Sequence, residues 1–252
     1  CALPICAAGA IECGEIIERH QGPVVLITRD MQNTLRLRDE IRQFTGLPIN
    51  TLSDWETLPY DSFSPHQEII SNRLATLYRL PTLQKGVLIL PINTLMQKVC
   101  PADYLAGHAL LMSKGDKLSR DKLRTELEQA GYRHVEQVLE HGEYATRGAL
   151  LDLFPMGSEV PYRIDFFDDE IDSLRTFDVD TQRTLTEVEQ INLLPAHEFP
   201  TDQEAIELFR SQWRERFDVR RDAEHIYQQV SKKTLPAGIE YWQPLFFSQP
   251  LP

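Results

Sequence analysis

Tyr162-Arg163-Ile164-Asp165-Phe166-Phe167-Asp168-Asp169-Glu170-Ile171-Asp172-Ser173-Leu174-Arg175-Thr176-Phe177 holds two runs of alternating apolar and polar residues around a short acidic break. Alternation with period two belongs to a strand with one buried face, and Asp168-Asp169-Glu170 reads as the loop of a hairpin. On the first strand Tyr162, Ile164 and Phe166 fall on one face, and Arg163, Asp165 and Phe167 on the other. The first set reads as core. The second carries a guanidinium and an aromatic ring about 13 Å apart, at about 3.3 Å per residue.

Working outward, further strands are expected over Val135–Tyr144, Gly148–Phe154 and Thr184–Leu193, separated by Gly, Pro and Asp clusters. A helix precedes them. Ser119 is its N-cap, Leu118 and Leu123 are placed for a hydrophobic staple, and Gly131 closes it. Residues 109–194 therefore read as a compact α+β domain with antiparallel strands.

Residues 1–108 follow another grammar. The β-branched run Pro23–Ile27 predicts a buried strand, followed by a helix from Met31 to about Thr45 with Asp30 as N-cap and Gly46 after its end. Ser64-Pro65-His66-Gln67 has the form of a capping box opening a helix to about Leu80, Val87–Leu90 is a second apolar strand, and Asn93–Val99 a short helix. Alternating strands and helices predict an α/β layer on a parallel sheet with covered faces. From 195 to 252 the pattern is helical again, with a Thr201-Asp202-Gln203-Glu204 capping box, a helix bearing Ile206, Phe209, Trp213 and Phe217, and a second from Ala223 to Val230.

The 252 residues suit roughly two domains, and 42% hydrophobic content is enough for sizeable cores. The net charge of −12 makes the chain as a whole a poor ligand for a phosphate backbone. Between Arg163 and Glu189, nine acids face three bases, which points to a protein partner instead. Cys1, Cys6, Cys13 and Cys100 form no Cys-x-x-Cys pair and read as structural thiols in a reducing compartment. No run approaches the roughly 20 apolar residues of a membrane span, so a cytoplasmic protein is expected. A start at Cys1 and an apolar end suggest a piece of a longer polypeptide.

Neither Gly-x-x-x-x-Gly-Lys-[Ser/Thr] nor Gly-x-Gly-x-x-Gly occurs, so no nucleotide cofactor is expected in this fragment. The acidic run Asp168–Asp172 superficially resembles a magnesium-binding helicase box, and supports the rival reading of a nucleic-acid-stimulated NTPase. His134, Glu136, Glu140 and His141 fit no zinc spacing; on a strand the first three would share one exposed polar face and His141 the opposite one. Arg36, Arg38 and Arg42 are a weaker DNA-binding candidate or a solvated helix face. No catalytic residue and no metal ligand is assigned. The face bearing Arg163 and Phe167 has the residue types that anchor protein interfaces. Spacing alone leaves open a second reading, with Phe167 under a loop and Arg163 paired to Asp165.

Six stretches carry a family resemblance: residues 54–61 (Asp-Trp-Glu-Thr-Leu-Pro-Tyr-Asp), 64–68 (Ser-Pro-His-Gln-Glu), 141–148 (His-Gly-Glu-Tyr-Ala-Thr-Arg-Gly), 152–155 (Asp-Leu-Phe-Pro), 161–175 and 194–200. With these the chain resembles the N-terminal region of the bacterial transcription-repair coupling factors, the Mfd family, over nearly its whole length. The resemblance implies a UvrB-like module. Its degenerate helicase-like (RecA-like) α/β domain, residues 1–108 continued by 195–252, would be interrupted by an α+β domain, 109–194, that binds UvrA.

Carried over by motif, Arg147, Arg163 and Phe167 would contact UvrA. The resemblance further implies a non-catalytic adaptor that recruits UvrA to lesions where RNA polymerase has stalled. RNA polymerase binding and an ATP- and magnesium-dependent DNA translocase would lie beyond Pro252, with a C-terminal domain masking the UvrA-binding surface.

Overall fold

The computed structural model describes residues 3–59, 61, 63–219 and 225–252, with the side chains of residues 3–8 left aside. The chain divides into two compact units, residues 1–56 with 76–97, and residues 57–75 with 98–252. The fold is mixed α/β with both parallel and antiparallel sheets.

In the first unit α1 (Leu3–Arg19) leads into β1 (Pro23–Thr28), α2 (Met31–Ile41) and β2 (Ile49–Thr51). The chain re-enters this unit within α3 (Gln67–Arg79), and β3 (Gly86–Pro91) and the one-turn α4 (Ile92–Leu95) follow. The three strands are parallel in the order β1-β3-β2, with Val24 opposite Val87 and Ile49 opposite the same residue. Ala10 and Ile17 of α1, Ile41 of α2, and Val87 and Ile89 make one core. The other side of β1 is not covered as expected, since Val25 and Ile27 remain half exposed.

Asp30 caps α2, its carboxylate accepting from the Asn33 amide at 2.8 Å. That helix ends at Ile41 rather than near Thr45, because the Gln43 and Phe44 amides turn to carbonyls three residues back, tightening the last turn. Gly86 is required where it stands. At φ 139°, a Cβ would sit 2.5 Å from the Pro48 carbonyl oxygen.

The second unit contains α5 (Ala102–His108), β4 (Leu110–Ser113), α6 (Arg120–Gln129), β5 (Arg133–His134), β6 (Glu143–Arg147), β7 (Leu150–Phe154), β8 (Tyr162–Phe167), β9 (Glu170–Phe177), β10 (Thr184–Val188), β11 (Gln190–Leu193), α7 (Gln203–Arg216) and α8 (Ile226–Ser231). A six-stranded sheet in the order β10-β9-β8-β7-β6-β5 is antiparallel except for the short β5–β6 pair. Its inward residues Tyr144, Leu151, Leu153, Ile164, Phe166, Ile171 and Leu174 are buried, as are Leu123 and Leu127 of α6. Ser119 caps α6, and Gly131 follows it at φ 87° where a Cβ would strike the His197 ring at 2.7 Å. A second core joins α7, α8 and the final 3₁₀ segment Ile239–Phe246 through Phe209, Trp213, Tyr227 and Phe246.

Five further local expectations change. The run from Val135 to Tyr144 is not a strand, since only Arg133–His134 pairs before the chain reaches Glu143, and His134, Glu136 and Glu140 share no strand face. Thr184–Leu193 is two strands, because β10 extends the large sheet while β11 pairs with β4. Ser64 does not cap α3. Its hydroxyl donates to Glu240 at 3.0 Å and accepts from the Gly238 amide at 3.1 Å, while the His66 carbonyl receives the Ile70 amide. Asp202, not Thr201, caps α7, accepting from Ala205 at 2.9 Å. The short helix expected over Asn93–Val99 is only Ile92–Leu95.

Cys100 is buried and Cys13 half-buried, and burial pushes both thiols up. Cys1 and the Cys6 side chain lie outside the described residues, as does Ala223, the expected start of α8. Among the described residues no helix is long and apolar enough to cross a membrane.

Candidate protein-docking face

Strand pairing brings the sequence-assigned residues onto the outer face of the six-stranded sheet. One cross-strand row is Ala145, Asp152, Arg163 and Arg175; the next is Arg147, Leu150, Asp165 and Ser173. The register then slips. Asp165 faces Ser173 but Phe166 faces Ile171, so Asp172 is an extra residue in β9. This bulge lets Phe166 and Ile171 enter the core while Phe167, opposite Glu170, turns outward.

Phe167 is 75% exposed, so it does not fold beneath a loop. Beside it Asp168, at φ 52°, and Asp169 make the tight turn, and Asp168, Asp169, Glu170 and Asp172 are all exposed. The acidic run thus lies at an antiparallel hairpin tip and not at the end of a parallel strand. Arg147 is exposed at the end of β6, one Nη2–H donating to the Glu136 carbonyl at 3.1 Å. Leu150 and Asp165, both half-buried, lie between Arg147 and Phe167.

Arg163 is in a different environment. Its partner is Asp152 rather than Asp165, through Nε at 2.7 Å and Nη2 at 2.8 Å. Nη1 donates to the Gln182 carbonyl at 3.3 Å and the Thr184 hydroxyl at 3.1 Å, and the guanidinium carbon stands 5.0 Å from the centre of the Phe177 ring. The two side chains are 16% and 4% exposed. Hydrogen bonding to Asp152 raises the affinity of the guanidinium for its proton despite partial burial.

The same end of the face contains the cluster Val138, Ala145, Phe154 and Phe177. Glu143 closes that end. Burial alone would raise its carboxyl, but hydrogen bonds from the Leu139 and Glu140 amides, at 2.8 and 2.9 Å, and from Arg133 hold it below the ordinary value.

Sequence reasoning missed Asp152. The signal was an acid amid the apolar β7 run Leu-Leu-Asp-Leu-Phe, one strand away from an arginine on the same face. In the first unit, Arg36 and Arg38 of α2 pair with Glu40 at 3.6 Å and Asp39 at 2.8 Å. That is the geometry of a solvated helix face.

Residues 110–199 match the family model of the UvrB interaction domain, a span that contains the whole six-stranded sheet. Over 98% of its length the chain is 77% identical to the transcription-repair-coupling factor of Escherichia coli. The chain matches a segment of transcription-repair-coupling factors. The coupling factor of Haemophilus influenzae is 62% identical over 96% of the chain, and that of Staphylococcus aureus 32% over 73%. The chain spans about a fifth of the length of the first two coupling factors. Arg147, Asp152, Arg163 and Phe167 all lie within the segment matched to the interaction domain.

Proposed function

We propose that this chain is a non-catalytic adaptor of a transcription-repair-coupling factor, working in the cytoplasm without a cofactor of its own. It binds UvrA through the domain of residues 109–194 and recruits it to lesions where RNA polymerase has stalled. The observation that carries this reading is Phe167, an aromatic side chain left 75% exposed on the same sheet face as Arg147, inside the segment matched to the UvrB interaction domain. Aromatic and arginine side chains are the preferred anchors of protein interfaces.

The α/β layer of residues 1–108, continued by 195–252, is read as a degenerate RecA-like domain, supported by its parallel β1-β3-β2 order. RNA polymerase, DNA and the ATP- and magnesium-dependent translocase belong to other regions of the full-length protein, whose C-terminal domain masks the docking face. Titration of purified UvrA against the chain tests the central point. Phe167→Ala and Arg147→Ala each weaken binding at least 10-fold, corresponding to roughly 1.4 kcal/mol or more. Parent-like binding by both variants would show that UvrA docks elsewhere.

A further inference from the structure

Arg163 is the site residue with the least surface, and its surroundings explain how it acts. Its guanidinium has five N–H donors. Nε and one hydrogen of Nη2 go to the two oxygens of Asp152, and Nη1 has the Gln182 carbonyl and the Thr184 hydroxyl as acceptors. Among the described residues, one Nη2–H is left without an acceptor. Phe177 lies beneath the guanidinium plane. The side chain is therefore gripped by β7, by β9 and by the start of β10, and a planar fork held by a carboxylate on one side and by a carbonyl and a hydroxyl at Nη1 is fixed in direction as well as position.

Asp152 shows no comparable outward role. It is 4% exposed, sits in a strand whose other residues are apolar, and presents both oxygens to Arg163. We propose that Asp152 is the positioning residue of the docking face, holding Arg163 so that the partner meets one preset N–H rather than a flexible cation. This rests on the reading of the face as the UvrA-binding surface. The chemistry also narrows the partner's contribution at this point to a single acceptor, a carbonyl or carboxylate oxygen, since a bidentate carboxylate would have to displace Asp152. A cation fixed before binding loses less conformational freedom on association than a mobile one.

The test is a binding cycle with purified UvrA and the 252-residue chain, run beside hydrogen exchange of the Arg163 Nε–H by NMR. Asp152→Asn is expected to weaken UvrA binding about 5-fold and to accelerate Nε–H exchange about 10-fold or more. In the Arg163→Ala background the same substitution should add nothing to the binding loss. Thr184→Val, which removes only one Nη1 acceptor, should act in the same direction by about 2-fold and likewise vanish in that background. It keeps the proposal testable should Asp152→Asn not fold.

Parent-like binding by Asp152→Asn overturns the proposal, as does a loss that persists undiminished in the Arg163→Ala background, since Asp152 would then act through the fold. If Arg147→Ala and Phe167→Ala both bind UvrA like the parent, it is the docking reading that fails. The exchange measurement then decides this inference alone, and unchanged Nε–H protection in Asp152→Asn would overturn it.

Discussion

The two ends of one sheet face differ more than the two faces of the strand that joins them. At one end Arg163 is locked between Asp152, Thr184 and the Phe177 ring, above the cluster of Val138, Ala145 and Phe154. At the other, Phe167 stands in solvent beside a tip of four exposed acids. Both residues are outward by alternation, four positions apart on β8. Alternation assigns a side of the sheet, and what lies over that side depends on neighbours from β7, β9 and β10. The locked end accordingly serves stability as well as contact, whereas the open end serves contact alone.

The largest expected effect falls at the locked end. Arg163→Ala leaves the buried Asp152 carboxylate without its cation, and should lower unfolding stability by about 3 kcal/mol in urea denaturation. A loss below about 0.5 kcal/mol would erase the distinction between the ends. Phe167→Ala should do the reverse, changing stability by less than about 0.5 kcal/mol while giving the larger loss in UvrA binding. Destabilisation comparable to that of Arg163→Ala would mean that Phe167 serves the fold.

Glu143 sharpens the comparison through pH. Its carboxyl titrates below its ordinary value of 4.5 in the folded chain, so the folded state binds fewer protons than the unfolded one as pH falls past that value. The stabilisation is present above that range and is lost as pH falls through the folded-state value. Glu143→Gln should therefore cost about 1 to 2 kcal/mol at pH 7, and the gap to the parent should close in acid. A gap independent of pH would show that the side chain acts by shape and not by charge.

Much of this was legible before any coordinates. The β8–β9 hairpin, the inward set Ile164 and Phe166, the caps at Asp30 and Ser119, and the parallel pairing of the first strands all follow from local pattern. Several of the failures share one cause. Thr184–Leu193 reads as one strand until β4 claims its second half, and Ser64 reads as a helix cap until Glu240 and Gly238, more than 170 residues away, take its hydroxyl. The extra residue at Asp172 is equally invisible, because a bulge is a property of two strands and not of one.

By itself, the sequence determined which side chains face outward on β8, the absence of the glycine-rich phosphate signatures, and the family motifs that relate the chain to the coupling factors. Those are short-range properties, written in spacing and residue type. Only tertiary structure decided that Arg163 belongs to Asp152 and that Phe167 belongs to the solvent. The partner of a charge is chosen by strand register, and register is set by the packing of the whole sheet.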